Sequence, residues 1–322
     1  MKKEIIKEKP SKVIINFSGG NFLLSTALFY VTFEEIWEDE EGKTPELKVY
    51  YTYKTKEEYK NEECSEFIYK DIAEYVLGAL KNCDYSRAKM LAEELPDEGE
   101  FGFLKNATYK LFYWNNFNYE DFYKEWNKKI EKYVCETLKK RYPKIVDTLD
   151  RLYQIKLSRI IDKLTKIQRK EIPIEKINNE LSFEEAKWVV VDILENIERR
   201  IKNSEYLEAV LLGYRAVEAA IQIKLILHHQ ISPWDNKEYT FKSGFDKLNE
   251  LKGDKYKELK NKCRTLADLR NDSFLEHGFL TRDKGDAEKA IKSAEDIILN
   301  LLNLSKGELE NLKGKVRHEI DE

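Results

Sequence analysis

Between Ser182 and His229 the chain carries two long runs of helical periodicity with only Lys202-Asn203-Ser204-Glu205 at their junction. Two long helices joined by so short a connection must fold back on each other antiparallel. Ser182-Phe183-Glu184-Glu185 has the form of a capping box, with a Ser three residues ahead of a Glu, and opens the first run. The pair therefore spans Phe183–Lys202 and Ser204–His229. Apolar spacing of three and four predicts further helices over Tyr239–Leu251, Lys255–His277 and Asp286–Leu304. Helices of this length with short loops make a bundle. The charged tail Ser305–Glu322 is expected to fray.

Upstream the pattern is helical from about Glu57 to Lys170, with helices expected over Ile68–Leu80, Ser86–Glu94, Glu100–Asn116 and Tyr119–Lys140. Pro96 and Pro143 punctuate it. Tyr109, Phe112, Tyr113, Trp114, Phe117, Tyr119, Phe122, Tyr123 and Trp126 crowd one stretch. Their helical spacing favours packing over base stacking. Leu149–Lys170 reads as one basic helix, either a solvated face or a track for RNA. A linker holding Pro173 follows around Ile172–Asn179.

The N-terminal stretch differs in kind. Lys12–Phe17 is a β-branched apolar run suited to a buried parallel strand. Ser18-Gly19-Gly20-Asn21 follows, then an apolar helix over about Phe22–Trp37, and Leu47–Lys54 reads as another strand. Strand, Gly-rich turn and helix can offer backbone N–H groups to a phosphate. A tight turn needing small residues reads equally well. So few strands cannot close a doubly wound sheet. The expectation is a trailing piece of an α/β domain, completed by a second chain or cut from a longer one.

Composition narrows the classes. The formal net charge of −4 gives no global basic field, so any nucleic acid must bind a local patch. The cysteines, Cys64, Cys83, Cys135 and Cys263, are widely separated and form no Cys-x-x-Cys, which fits neither zinc nor a disulfide framework. A reducing cytoplasm is expected, with no membrane. The adjacent His228 and His229 lack partners at metal-ligand spacing.

The chemistry concentrates in Leu269–Phe279, "LRNDSFLEHGF". On a helix Arg270 and His277 would share one face, about 10 Å apart along the axis. A guanidinium beside an imidazole that titrates near neutrality can hold a phosphate and move a proton. A solvated helix face has the same spacing, and both readings stand on the residues alone.

This run resembles the Arg-Asn-x-His signature of HEPN ribonucleases. Val189–Leu225 looks like the first helical pair of the HEPN domain in CRISPR-associated CARF–HEPN proteins of type III systems. The matching positions are Asn196, Glu198, Arg199 and Arg200, then Tyr214, Arg215, Ala216 and Glu218. Ile14–Phe29, "IINFSGGNFLLSTALF", is similar to the Gly-Gly motif of the nucleotide-sensing CARF half, with Asn21 and Phe22 where the family usually carries Thr and Lys. The likeness covers the C-terminal third well, the first fifty residues in part and the middle poorly.

The resemblance implies a mainly α chain: a trailing CARF-like, Rossmann-like portion over 1–56, a helical connection over 57–180 and a HEPN-like bundle over 181–322. It implies an antiviral endoribonuclease that cleaves single-stranded RNA without a metal, leaving a 2′,3′-cyclic phosphate. The site would be composite, formed in a homodimer, with a cyclic oligoadenylate as activator. Arg270, Asn271 and His277 would be catalytic, with Glu218, Arg215, Asp272 and Ser273 supporting. Ser18, Gly19, Gly20 and Asn21 would touch the nucleotide. Two alternatives are a helical regulatory protein with a vestigial motif and a sensor-free, toxin-like ribonuclease.

Overall fold

The computed structural model describes residues 12–16, 46–54, 59–63, 65–124, 136–234, 241–253, 255–273 and 280–320. The chain is mainly helical and divides into two compact units: residues 1–75 with 94–96, and residues 76–93 with 97–322. The expected boundary at 180/181 falls inside the second unit.

In the first unit β1 (Lys12–Asn16) pairs parallel with β2 (Glu46–Lys54), in a register from Lys12 opposite Glu46 to Asn16 opposite Tyr50. Parallel pairing requires a crossover of a dozen or more residues, and the intervening chain is long enough. β3 (Tyr59–Glu63) runs antiparallel to β2, with Tyr50 opposite Glu63 and Lys54 opposite Tyr59. That strand corrects the helical expectation from Glu57. Tyr-Lys-Asn-Glu-Glu has weak β propensity, and pairing with β2 overrides it. Helix α1 (Ser65–Lys81) begins here.

The second unit holds α2 (Tyr85–Glu93), α3 (Gly99–Asn115), α4 (Tyr119–Tyr123), α5 (Glu136–Arg141), α6 (Pro143–Ile155) and α7 (Leu157–Gln168). After a short turn come α8 (Ile177–Glu180), α9 (Phe183–Lys202), α10 (Tyr206–His229), α11 (Phe241–Lys252), α12 (Lys260–Asn271), α13 (Lys284–Leu302) and α14 (Lys306–Val316). No described helix is long and apolar enough to cross a membrane.

α9 starts where expected. The Ser182 hydroxyl accepts from the Glu185 backbone N–H, and the Glu185 carboxylate accepts from the Ser182 backbone N–H. α9 and α13 both pack on α10. α10 and α13 pack together, and both carry small buried residues: Ala209, Gly213, Ala216 and Ala220 on α10, and Ala287, Ala290 and Ala294 on α13. A Cβ at Gly213 would stand 3.3 Å from the Ala290 Cβ, so glycine sets how closely these helices approach.

Three helical expectations are corrected. The helix expected over Tyr119–Lys140 stops at Tyr123, where Lys124 turns extended. The basic stretch Leu149–Lys170 is two helices with an elbow at Lys156, whose φ of 57° lies in the left-handed region. The Tyr123 hydroxyl bridges the elbow, donating to the Leu152 carbonyl and accepting from the Leu157 N–H, both at 3.0 Å. The tail does not fray. Ser305 and Glu308 form a second capping box, and Leu309 and Val316 are buried as α14 packs on α9 and α6.

Candidate functional site

α12 ends at Asn271, so the single helix expected over Lys255–His277 is corrected. The turn that ends it is built locally. The Ser273 backbone N–H donates to the Arg270 carbonyl at 3.1 Å, and the Ser273 hydroxyl donates to the same oxygen at 2.6 Å. A side chain that satisfies a terminal carbonyl competes with continuing the helix. Ser273 is fully buried and forms a parallel bridge with Leu280, whose N–H donates to the Asp272 carbonyl at 3.2 Å. The chain leaves this point at Ser273 and returns to it at Leu280. His277 lies outside the described residues. Three residues of chain span at most about 11 Å, and this covalent limit ties His277 to Leu280 whatever conformation lies between.

Arg270 sits on the last turn of α12, half-buried. Its guanidinium carbon lies 4.7 Å from the centre of the Tyr214 ring on α10, within cation–π range. Tyr214 in turn stacks on Phe241 of α11, with centroids 4.3 Å apart. One guanidinium nitrogen donates to the Asn271 Oδ1 at 3.2 Å at the exposed surface. The seat is thus an aromatic face below and a polar amide beside. Asp272 is exposed. One residue along α10 from Tyr214, Arg215 donates to Glu218 at 2.7 Å and to Gln222 at 3.1 Å. The contact that seats Arg270 joins residues far apart in sequence, and no spacing rule could have picked out Tyr214 for it.

The other arginine-rich motif has a different fate. Arg199 is 4% exposed, and Asp192 beside it is fully buried. Arg199 donates to Asp192 at 3.3 Å, to the Asn115 Oδ1 at 3.2 Å and to the Val316 carbonyl at 3.3 Å. Asp192 also accepts from the Trp114 indole at 2.7 Å and the Tyr119 hydroxyl at 2.6 Å. Asn196 donates to the Asn115 carbonyl at 2.7 Å, and Arg200 donates to Asn196 at 3.1 Å and to Glu205. Burial opposes the Arg199 charge most strongly, but Asp192, Tyr85, Glu195 and Cys83 together outweigh it and the pKa rises. These residues staple α9 to α3 and to the end of α14. Trp114 and Phe122 are fully buried and Tyr119 nearly so, so this part of the aromatic stretch is core. Glu198 accepts from the buried Lys313 at 3.4 Å.

Among the described residues no His, Cys, Asp and Glu side chains gather as a metal site. His228 meets Phe183 edge-on at 4.2 Å, and burial first, then Lys224, lowers its pKa. Burial pushes the Cys263 thiol up to about 12, which makes it a poor nucleophile at neutral pH. Ser18, Gly19, Gly20 and Asn21 lie outside the described residues.

The HEPN domain family matches residues 191–304, a span that begins within α9 and ends just past α13. Residues 191–304 are a HEPN domain. Both Arg215 and Arg270 fall within it, as does the turn at Ser273. Among solved structures, the chain is similar to Enterococcus italicus Csm6 bound to cyclic hexa-2'-fluoro-hexa-dAMP, at 12% identity and a TM-score of 0.43, over 98% of this chain and 76% of that one. No curated protein matches the sequence.

Proposed function

We propose that the HEPN domain is an endoribonuclease that cleaves single-stranded RNA without a metal. The observation that carries this reading is the seat of Arg270. A guanidinium at a helix end is propped on Tyr214 and reaches the exposed surface, one turn from the bridge of Ser273 to Leu280, and His277 is three residues from Leu280 in sequence. Arg270 holds the scissile phosphate and stabilises charge gathering on its oxygens. His277 exchanges the proton, and Asn271 orients a phosphate oxygen. The RNA 2′-OH attacks the adjacent phosphorus, the 5′-oxygen of the next nucleotide leaves, and the products are a 2′,3′-cyclic phosphate and a 5′-OH. One chain supplies one such imidazole, so a reaction with separate acid and base uses two copies in a dimer. Arg215 and Glu218, paired on α10 next to Tyr214, support the same face.

The wider setting rests on the sequence resemblance: type III CRISPR antiviral defence in the cytoplasm, with a cyclic oligoadenylate acting at Ser18–Asn21. The test is cleavage of a fluorescent single-stranded RNA in EDTA, with wild type, Arg270→Ala and His277→Ala side by side, each with and without cyclic tetra- or hexa-adenylate. Cleavage lost in both variants supports the site, and activation by the cyclic nucleotide supports the sensor. Cleavage unaffected by either substitution, or none from a folded dimer, would sink the ribonuclease reading.

A further inference from the structure

A second feature of the second unit lies on other helices. The elbow between α6 and α7, the start of α9 and the end of α14 enclose an open cavity of about 440 Å³. Its size suits a small ligand or one unit of a polymer. Five cations line it: Arg151, Lys156, Arg159, Lys163 and Lys315. Glu185 is the acidic residue of the lining. In a chain of net charge −4 this is a concentrated positive patch. Low-dielectric walls focus such a field on whatever anion enters.

The lining groups are not equivalent. Arg151 already holds Asp147 at 2.8 Å and the Gly314 carbonyl, and Lys163 donates to the Glu180 carbonyl. Glu185 is engaged in the α9 capping box, and hydrogen bonds from Ser182 lower its pKa. Lys156, Arg159 and Lys315 are exposed at the rim. The wall also carries Trp188, half-buried, with the Lys315 ammonium 5.8 Å from its ring. Rim cations and a flat aromatic face in one cavity suit a ligand that has both anionic oxygens and a flat ring.

The geometry points to a nucleotide-binding site here, with phosphates held by Lys156, Arg159 and Lys315 and a base stacked on Trp188. The natural ligand is a nucleotide unit, either free or within a single strand. The lining includes no residue of α10, α12 or α13. The site is therefore separate from Arg270, and binding in it does not depend on cleavage. A stretch of RNA bound here would be gripped away from the reacting phosphate.

A labelled oligodeoxynucleotide of about ten residues is a suitable probe, since a single-strand site commonly covers about 4–16 nucleotides. It lacks the 2′-OH and cannot be cleaved by the proposed reaction. Binding is read by fluorescence anisotropy across a salt series, on full-length protein carrying Arg270→Ala to remove the other site's phosphate grip. Adding Lys156→Glu and Arg159→Glu, both surface changes, should weaken binding roughly tenfold or more and reduce the slope of log K against log salt by about 1.4, for two lost phosphate contacts. Trp188→Leu should weaken it roughly fivefold or more, and Trp188→Phe should restore most of that. AMP should displace the probe at lower concentration than inorganic phosphate. An unchanged affinity and slope in the charge-reversed protein would overturn the site. Equal competition by AMP and phosphate, or poly-glutamate displacing the probe as well as oligonucleotide does per charge with Trp188→Leu without effect, would overturn its nucleotide character. A chain with no ribonuclease activity would still give these results if the site exists.

Discussion

Arg199 and Arg270 have the same side chain in opposite circumstances. Arg199 is buried, and its guanidinium is shared among Asp192, Asn115 and the Val316 carbonyl. Arg270 sits at a helix end on an aromatic face, with Asn271 beside it and the exposed surface within reach. A buried cation enclosed by matched groups has no capacity left for a substrate, whereas the Arg270 guanidinium rests on π electrons at a helix end that reaches the surface. The motif around Arg199 is therefore scaffold, and the motif around Arg270 is the one to which the proposed chemistry is assigned.

The largest expected effect would sharpen that contrast. Arg270→Ala or His277→Ala should lower RNA cleavage by about 10²–10⁴-fold, the range for a lost charge stabiliser or proton-transfer group. Arg270→Ala should move the melting temperature by no more than a degree or two, because Arg270 reaches the surface. If Arg270→Ala unfolds the domain, Arg270 belongs with Arg199 and the comparison fails.

Arg199→Met should do the reverse. Leaving Asp192 buried without its cation should cost about 3–5 kcal/mol of stability. Cleavage per folded molecule should persist below the new melting point. Urea unfolding read beside active-site titration checks both halves. A full loss of activity in protein that remains folded would mean that Arg199 reaches the reaction after all.

A third test concerns His318, which closes the C-terminal end of the scaffold against Tyr85 at 2.7 Å. Burial first, then Arg199 and Arg151, holds its pKa well below the ordinary value of 6.5. The folded state keeps it neutral, whereas the unfolded chain takes up a proton below about pH 6.5. Its contribution is present above pH 6.5 and is lost as the pH falls toward the lower folded value, at up to about 1.4 kcal/mol per pH unit. His228 and His229 are shifted the same way and add to the wild-type slope. His318→Gln should flatten the dependence of melting temperature on pH between 6.5 and 5 without abolishing it. An unchanged slope would take His318 out of the scaffold's acid sensitivity.

The two regions also differ in how legible they were. The α9–α10 pair followed from the Ser182 capping box, the periodic apolar residues and the short junction, all local signals. The end of α12 did not. Apolar Phe274 and Leu275 follow Asn271, and no Gly or Pro stands between it and Gly278, so the local sequence carries no stop. What stops the helix is the Ser273 hydroxyl on the Arg270 carbonyl and a bridge to Leu280, a return of the chain that no window of spacing contains. The fate of Arg199 was hidden for the same reason, since Asn115 and Val316 are distant in sequence. In the tail the high charge masks two local signals, the capping box of Ser305 and Glu308 and the buried stripe of Leu309 and Val316.

The smallest expected effect probes what props the exposed arginine. Tyr214 is to Arg270 what Asp192 is to Arg199, with a ring face in place of a carboxylate. A cation–π contact at a partly exposed site contributes about 0.5–2 kcal/mol, so Tyr214→Leu should lower kcat/KM by roughly three- to thirtyfold. Tyr214→Phe should retain most activity, because the ring and its stacking on Phe241 remain. If the support acts on the phosphate grip in the transition state, the loss falls in kcat with KM little changed. A loss shared equally by the Leu and Phe variants would instead place the effect on the hydroxyl. The ring would then be mere packing under Arg270, and the two arginines would differ only in their exposure to water.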